Sequence, residues 1–169
     1  MLKELVRDIP DFPKKGIIFK DITPLFLNPS SLKEIVSKIS DHYANQKIDV
    51  IVGAEARGFL IGPAIAINLN AGFVPVRKPG KLPYETASMT YELEYGTDTL
   101  EIHKDAVKAG DNVLMVDDLL ATGGTMAASC KLVESLGGKI TGCAFIIELG
   151  FLNGRDMLSK YDIFSLIQY

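Results

Sequence analysis

The densest chemistry in this sequence lies in one run, Val113-Leu-Met-Val-Asp-Asp-Leu-Leu-Ala-Thr-Gly-Gly-Thr125. An apolar stretch leads into two adjacent acids, then a turn of small residues, then a segment with helical character. Gly123 and Gly124 permit close backbone approach and torsions closed to other residues, and Ala121 keeps the turn small. Thr122 and Thr125 supply hydroxyl donors, and the free N–H groups of a starting helix face the same point. Such a turn suits a phosphate dianion, favoured further by the helix dipole. Asp117 and Asp118 cannot bind phosphate as well, but they suit donors, such as the hydroxyls of a ribose attached to it. The plain alternative is a strand that ends in acids before an ordinary helix. Two buried acids would then still need partners. No Gly-Lys-Ser/Thr follows the glycines, so this is not a Walker loop. Gly-x-Gly-x-x-Gly is also absent, which removes a dinucleotide-dependent oxidoreductase.

A scaffold must hold that turn at an open sheet edge. Four short apolar runs, Ile48–Gly53, Gly72–Val76, Asn112–Asp118 and Ile140–Glu148, read as strands buried on both faces. Helical patterns lie between them. Ser30 or Ser31 can cap a helix whose stripe is Leu32, Ile35, Val36 and Ile39. Gly58–Leu69 and Thr125–Leu136 read as two more, the last closed by Gly137-Gly138 in a left-handed cap. The alternation implies an α/β fold with right-handed crossovers and a mostly parallel central sheet flanked by helices. In such sheets, ligands sit outside the carboxyl ends of the strands. Val52-Gly-Ala-Glu-Ala-Arg-Gly58 makes a second strand-to-helix turn at the same edge. Two stretches break the alternation: the proline- and phenylalanine-rich segment from Pro10 to Pro29, and the polar excursion from Lys78 to Glu101. Loops this long are uncommon in compact domains and often functional.

The bulk properties bound the rest. A chain of 169 residues suggests a single domain over 1–169, and 47% hydrophobic residues are enough for a core. A net charge of −3 gives no global field toward nucleic acid or anionic lipid, so a polyanion must be captured locally. The N-terminus lacks a signal-peptide core, and no apolar run nears the ~20 residues of a membrane span. A soluble cytoplasmic protein is expected, with Cys130 and Cys143 as reduced core thiols and His42 and His103 outside any motif.

Val-Asp-Asp-Leu-Leu-Ala-Thr-Gly-Gly-Thr resembles the phosphoribosyl pyrophosphate signature of the type I phosphoribosyltransferases, and it matches their adenine-specific branch closely. The similarity extends to Glu55-Ala-Arg-Gly-Phe59, Arg77-Lys78, Gly80-Lys-Leu-Pro83, Leu93-Glu-Tyr-Gly96 and Phe164-Ser-Leu-Ile-Gln-Tyr169. The resemblance implies the type I phosphoribosyltransferase fold, with an N-terminal hood over about 8–30 and a flexible catalytic loop over about 78–101. A plain β-hairpin is the alternative for that loop. It implies transfer of phosphoribosyl from phosphoribosyl pyrophosphate to adenine, giving AMP and pyrophosphate, with Mg²⁺ carried on the substrate and no protein ligand assigned to it. Asp117, Asp118, Ala121, Thr122, Gly123, Gly124 and Thr125 would hold the ribose and 5′-phosphate. Glu55, Ala56 and Arg57, around a cis Glu55–Ala56 bond, would meet pyrophosphate together with Arg77, Lys78 and Lys81, some of them in a neighbouring subunit of a homodimer.

The segment Phe12–Ile22 resembles the hood, with main-chain groups of Ile18 and Lys20 reading the base and Phe19 beside them. Lys15 departs from the proline frequent there in relatives. Adenine offers a donor at its 6-amino group beside an acceptor at N1; guanine and hypoxanthine reverse that pattern, so a mismatch leaves buried groups unpaired. Glu94 and Tyr95 would act as acid/base groups near N7. Two rivals remain: a phosphoribosyltransferase for xanthine or orotate, and a non-catalytic regulator sensing the same sugar phosphate. The regulator lacks any spare DNA-binding segment or basic face here.

Overall fold

The computed structural model describes residues 2–93 and 96–169. After a 3₁₀ turn at Leu2–Leu5 come β1 (Arg7–Pro10), β2 (Ile18–Asp21), α1 (Thr23–Leu27), α2 (Pro29–Tyr43) and β3 (Val50–Ala54). A 3₁₀ turn at Arg57–Leu60 leads to α3 (Gly62–Leu69), β4 (Gly72–Val76), β5 (Thr86–Glu92), β6 (Thr97–His103) and β7 (Asn112–Leu120). The chain ends with α4 (Gly124–Ser135), β8 (Lys139–Glu148), a 3₁₀ turn at Gly150–Leu152, α5 (Gly154–Met157) and β9 (Ile163–Gln168). The central sheet has the order β4-β3-β7-β8-β9, and every pairing in it is parallel.

Burial on both faces follows from the period of two along each strand. Ile51, Leu114, Val116, Ala144 and Ile146 join α2 and α3 residues such as Ile35, Ile39 and Ile65 in one core layer. Their neighbours Val52, Val113, Met115, Cys143 and Phe145 face the other way, onto Cys130, Leu132 and Val133 of α4 and onto Leu100 and Ile102 of β6. The α/β expectation therefore holds with both faces covered. Cys130 and Cys143 are free and buried, as expected, with their sulfurs 3.8 Å apart.

Several boundaries differ from the sequence reading. The first sheet strand is Val50–Ala54; just before it, Asp49 Oδ2 accepts from both the backbone N–H and the side-chain amide of Asn112 at 2.9 Å. Helix α2 is capped by Asn28, not by Ser30 or Ser31. Asn28 Oδ1 accepts from the N–H groups of those two serines at 3.0 and 3.1 Å, while Pro29 supplies the preset first helical torsion. The helix expected over Gly58–Leu69 is split, α3 proper starting at Gly62 with a proline in its first turn. Helix α4 ends as foreseen, with Gly137 at φ +91°.

The polar excursion after Lys78 is an antiparallel hairpin of β5 and β6 in the described residues, paired from Thr86–His103 to Glu92–Thr97. The fifth strand, β9, went unread; it mixes Ser165 and Gln168 into its apolar residues and lies at the sheet edge. Pro10 to Asp21 supplies most of a two-stranded hood, β1 against β2, closed by Phe12 edge-on to Phe19 at 5.2 Å.

Candidate active site

At the carboxyl ends of β3 and β7 lies a cavity of about 400 Å³. It is lined by the turn Glu55-Ala-Arg57, by Asp117–Leu120, and by the whole of Ala121–Met126. Two turns about sixty residues apart in sequence meet because β3 and β7 pair directly, Gly53 opposite Val116. The Glu55–Ala56 peptide is cis, as the resemblance implied.

In the turn Ala121–Thr125 the two glycines differ. Gly123 sits at φ +86° and forms the N-cap of α4, whereas Gly124 is not in the left-handed region. No side chain caps α4, in contrast to α2. Its first-turn N–H groups therefore remain to be satisfied by something in the cavity, and the helix dipole favours an anion. Behind the turn lies α5. A β-carbon placed on Gly123 would come within 2.5 Å of the Gly154 carbonyl oxygen and 3.1 Å of Met157 Cβ, so the two backbones are in contact.

The acids respond to enclosure. Burial pushes the Asp117 carboxyl well above the usual carboxylate range, and the neighbouring Asp118 charge adds to this. Asp118 is raised by burial too, against the pull of Arg57, whose Nε lies 2.7 Å from Asp118 Oδ2. Asp117 Oδ1 also accepts from the Asp118 N–H at 2.9 Å. Two adjacent carboxyls lining one wall offer several acceptor oxygens, which suit hydroxyl donors. Arg57, expected to meet pyrophosphate, is here paired with Asp118 and reaches over the Phe19 ring at 5.8 Å.

Arg77, Lys78 and Lys81 do not line the cavity. They stand behind Glu55: Arg77 Nε is 3.2 Å from Glu55 Oε2, Lys81 Nζ is 2.5 Å from Oε1, and the Lys78 N–H donates to Oε2 at 2.9 Å. Lys81, with Lys78 and Arg77 assisting, holds the Glu55 carboxyl down at about 2. The Lys78 ammonium pairs instead with Asp98.

Over the opposite rim, β2 alternates. Phe19 faces Arg57, while Ile18 and Lys20 line a separate apolar cavity with Leu149, Phe151 and Tyr169. Lys20 Nζ is held by Asp8 at 2.6 Å and lies over the Tyr169 ring at 4.2 Å. The side chains of Ile18 and Lys20 are thus turned away from Arg57, leaving their main-chain groups as what those residues can offer a base there. Glu94 and Tyr95, the expected acid/base pair, lie outside the described residues.

One arrangement escaped the sequence reading. Glu148, at the end of the apolar run of β8, is gripped by Arg155 Nε and Nη2 at 2.6 and 2.7 Å and by the Ser165 hydroxyl at 2.7 Å. It fixes the corner that carries α5 under the phosphate turn. The signal was an acid at the end of an otherwise apolar strand, which needs a cation nearby.

The phosphoribosyl transferase domain family matches residues 26–167. Adenine phosphoribosyltransferase from Koribacter versatilis is 59% identical over 168 residues, spanning 99% of this chain and 92% of that one. That from Trichlorobacter lovleyi is also 59% identical, spanning 99% and 98%. The chain belongs to the adenine phosphoribosyltransferase family. Solved structures of adenine phosphoribosyltransferases agree. The Thermoanaerobacter pseudethanolicus protein superimposes with a TM-score of 0.96 at 57% identity, covering 99% of this chain and 98% of its own. The Saccharomyces cerevisiae protein, complexed with adenine and D-2,5-dideoxy-2,5-imino-altritol 1,6-bisphosphate, gives 0.92 at 46% identity, covering 98% and 96%. Membership in the adenine phosphoribosyltransferases thus rests on nearly the whole chain, hood included. Among the described residues no helix is long and apolar enough to cross a membrane.

Proposed function

We propose that this chain transfers the phosphoribosyl group of 5-phospho-α-D-ribose 1-diphosphate to adenine, releasing pyrophosphate and giving AMP, as a purine-salvage enzyme of the cytoplasm. One observation carries the reading: a single cavity joins an uncapped helix start, two raised carboxyls and the Glu55-Ala-Arg57 turn. That order matches the substrate, with 5′-phosphate, ribose hydroxyls and pyrophosphate side by side. The relatives' names, and the adenine and bisphosphate in the Saccharomyces cerevisiae complex, support both substrates.

Thr122–Thr125 hold the 5′-phosphate, and Asp117 and Asp118 accept from the ribose hydroxyls. Arg57 then has a new partner available, the departing pyrophosphate, for its guanidinium donors. Adenine lies beneath β2, where main-chain groups of Ile18 and Lys20 meet its 6-amino group and N1. As the C1–O bond to pyrophosphate breaks, positive charge develops on the sugar ring and N9 of adenine closes on C1. By resemblance Glu94 and Tyr95 are the acid/base candidates for N7: adenine reacts as its N7–H tautomer, and a Glu94 carboxylate takes the N7 proton as the N9 lone pair bonds to C1. Enclosure of the sugar matters because water is a competing nucleophile.

Mg²⁺, when bound, neutralises leaving-group charge. Among the described residues no three His, Cys, Asp or Glu side chains converge on a metal position. Mg²⁺ is a hard cation, and the pyrophosphate and ribose oxygens of the substrate suit it as ligands.

A homodimer fits the cationic cluster, which stands outside its own chain's cavity. Leu60 and Ile67, 54% and 80% exposed beside the edge strand β4, give a second copy apolar surface to cover.

The test is a base panel. Protein, Mg²⁺ and phosphoribosyl pyrophosphate are mixed with adenine, hypoxanthine, guanine, xanthine or orotate, and the products are separated. AMP from adenine alone is expected; a different nucleotide without AMP overturns the specificity. Glu94→Gln should lower the single-turnover rate with little change in ribose 5-phosphate affinity, and an unchanged rate removes Glu94 from the chemistry.

A further inference from the structure

The β5–β6 hairpin makes a contact that the reaction described above leaves unused. Tyr91 on β5 lays its ring beside the phosphate turn; a methyl group on Gly124 would meet it at 3.8 Å. Its hydroxyl lies 3.1 Å from Thr125 Oγ1 and 3.3 Å from Asp98 Oδ2. Asp98 also pairs with the Lys78 ammonium and accepts from the Thr99 N–H at 2.8 Å. A continuous line, Lys78–Asp98–Tyr91–Thr125, therefore runs from the cationic cluster to a residue lining the cavity.

Each hydroxyl in that line has one proton to give. With its proton on Asp98, Tyr91 must accept from Thr125, and the Thr125 proton then points away from the cavity. A dianion in the turn requires the opposite setting. Thr125 donates to the anion, its oxygen accepts from Tyr91, and the Tyr91 proton turns off Asp98. Asp98 tolerates the loss, because Lys78 and the Thr99 N–H still satisfy it.

We propose that Tyr91 is a positioning residue for the 5′-phosphate site: its hydroxyl donates to Thr125 Oγ1 and so aims the Thr125 proton at the phosphate. The inference rests on reading Ala121–Thr125 as that site. Tyr91 needs no contact with the substrate. Through Asp98 and Lys78 the same hydroxyl ties the hairpin to the turn whenever the phosphate is in place.

The experiment uses Tyr91→Phe, which keeps the ring against Gly124, together with Thr125→Val and the double variant. Ribose 5-phosphate is titrated calorimetrically into each, and kcat and the KM for phosphoribosyl pyrophosphate are measured at saturating adenine. Tyr91→Phe should weaken ribose 5-phosphate about 3- to 10-fold, the range of one neutral hydrogen bond. The KM should rise alike, with kcat changing less than about twofold, since the bond is made in ground and transition states equally. The double variant should bind no worse than Thr125→Val alone, because Tyr91 acts only through that hydroxyl. Wild-type affinity in Tyr91→Phe, or losses that add in the double variant, would overturn the role of Tyr91 while a weakened Thr125→Val leaves the site reading intact. Unchanged binding in Thr125→Val would overturn both.

Discussion

Replacing each of the two adjacent glycines of the phosphate turn by alanine should give opposite results. At Gly123 the backbone sits at φ +86°, where an L residue loses roughly 1–2 kcal/mol. The new methyl would also lie 2.5 Å from the Gly154 carbonyl oxygen and 3.1 Å from Met157 Cβ. Neither neighbour is the end of a flexible side chain, so relief requires moving α5 or the turn itself, at about 1–3 kcal/mol for an overpacked contact. Gly123→Ala should therefore cost about 2–5 kcal/mol. For a chain of this length each kcal/mol moves Tm by roughly 2–4 °C, so a fall of about 5–20 °C is expected.

Gly124 carries no such torsion, and its methyl would touch only the Tyr91 ring at 3.8 Å, an ordinary contact. Gly124→Ala should leave Tm unchanged or raise it, since a helical alanine loses less entropy on folding, by about 0.4–1 kcal/mol. Both variants are melted without ligand, followed by circular dichroism, so that steric effects on a bound phosphate do not enter. Equal melting temperatures for the two variants, or a loss below about 1 kcal/mol at Gly123, would refute the argument that α5 supports the turn by backbone contact.

Two further predictions concern charges. Lys81, Lys78 and Arg77 hold Glu55 at about 2, below the ordinary 4.5, so its ionised form stabilises the folded state. That contribution is whole above about pH 4.5 and is lost as pH falls toward 2. Glu55→Gln should be less stable than the parent in urea at pH 6, and the gap should narrow at pH 3; a gap that widens would contradict the pairing. Arg155→Met should lower stability by about 2–3 kcal/mol, under the ~3–5 for breaking a wholly buried pair because the Arg155 side chain is 45% exposed. Adding Glu148→Gln should restore part of it; urea midpoints that show no recovery would mean the loss is not an orphaned carboxylate.

Much of this fold was legible because its strands are buried on both faces. Runs such as Asn112–Asp118 and Ile140–Glu148 are continuous in apolar character, and continuity survives errors of a residue or two at either end. Strand β9 lacks it: an edge strand needs only one good neighbour, so Ser165 and Gln168 are tolerated and the pattern breaks. The cap of α2 falls on Asn28 for a local reason. Asn28, Ser30 and Ser31 are all good caps, and the choice falls to Pro29, which takes the first helical position and leaves Asn28 outside.

The site was legible in residue types but not in partners. In the turn, glycine and threonine act through local backbone geometry, which sequence carries directly. Long charged side chains act across the sheet, where sequence separation says little. Arg77, Lys78 and Lys81 read as a free cationic cluster, yet Glu55, more than twenty residues earlier, takes a bond from each of the three. Arg57 read as a pyrophosphate ligand, yet it rests on Asp118. In both cases a carboxylate occupies the donors that an anionic substrate would use. Under the proposed function, a substrate carrying several negative charges would exchange partners with these residues rather than simply fill a set of waiting donors. In the proposed reaction Arg57 would make that exchange, leaving Asp118 for pyrophosphate while ribose hydroxyls of the same molecule replace it there.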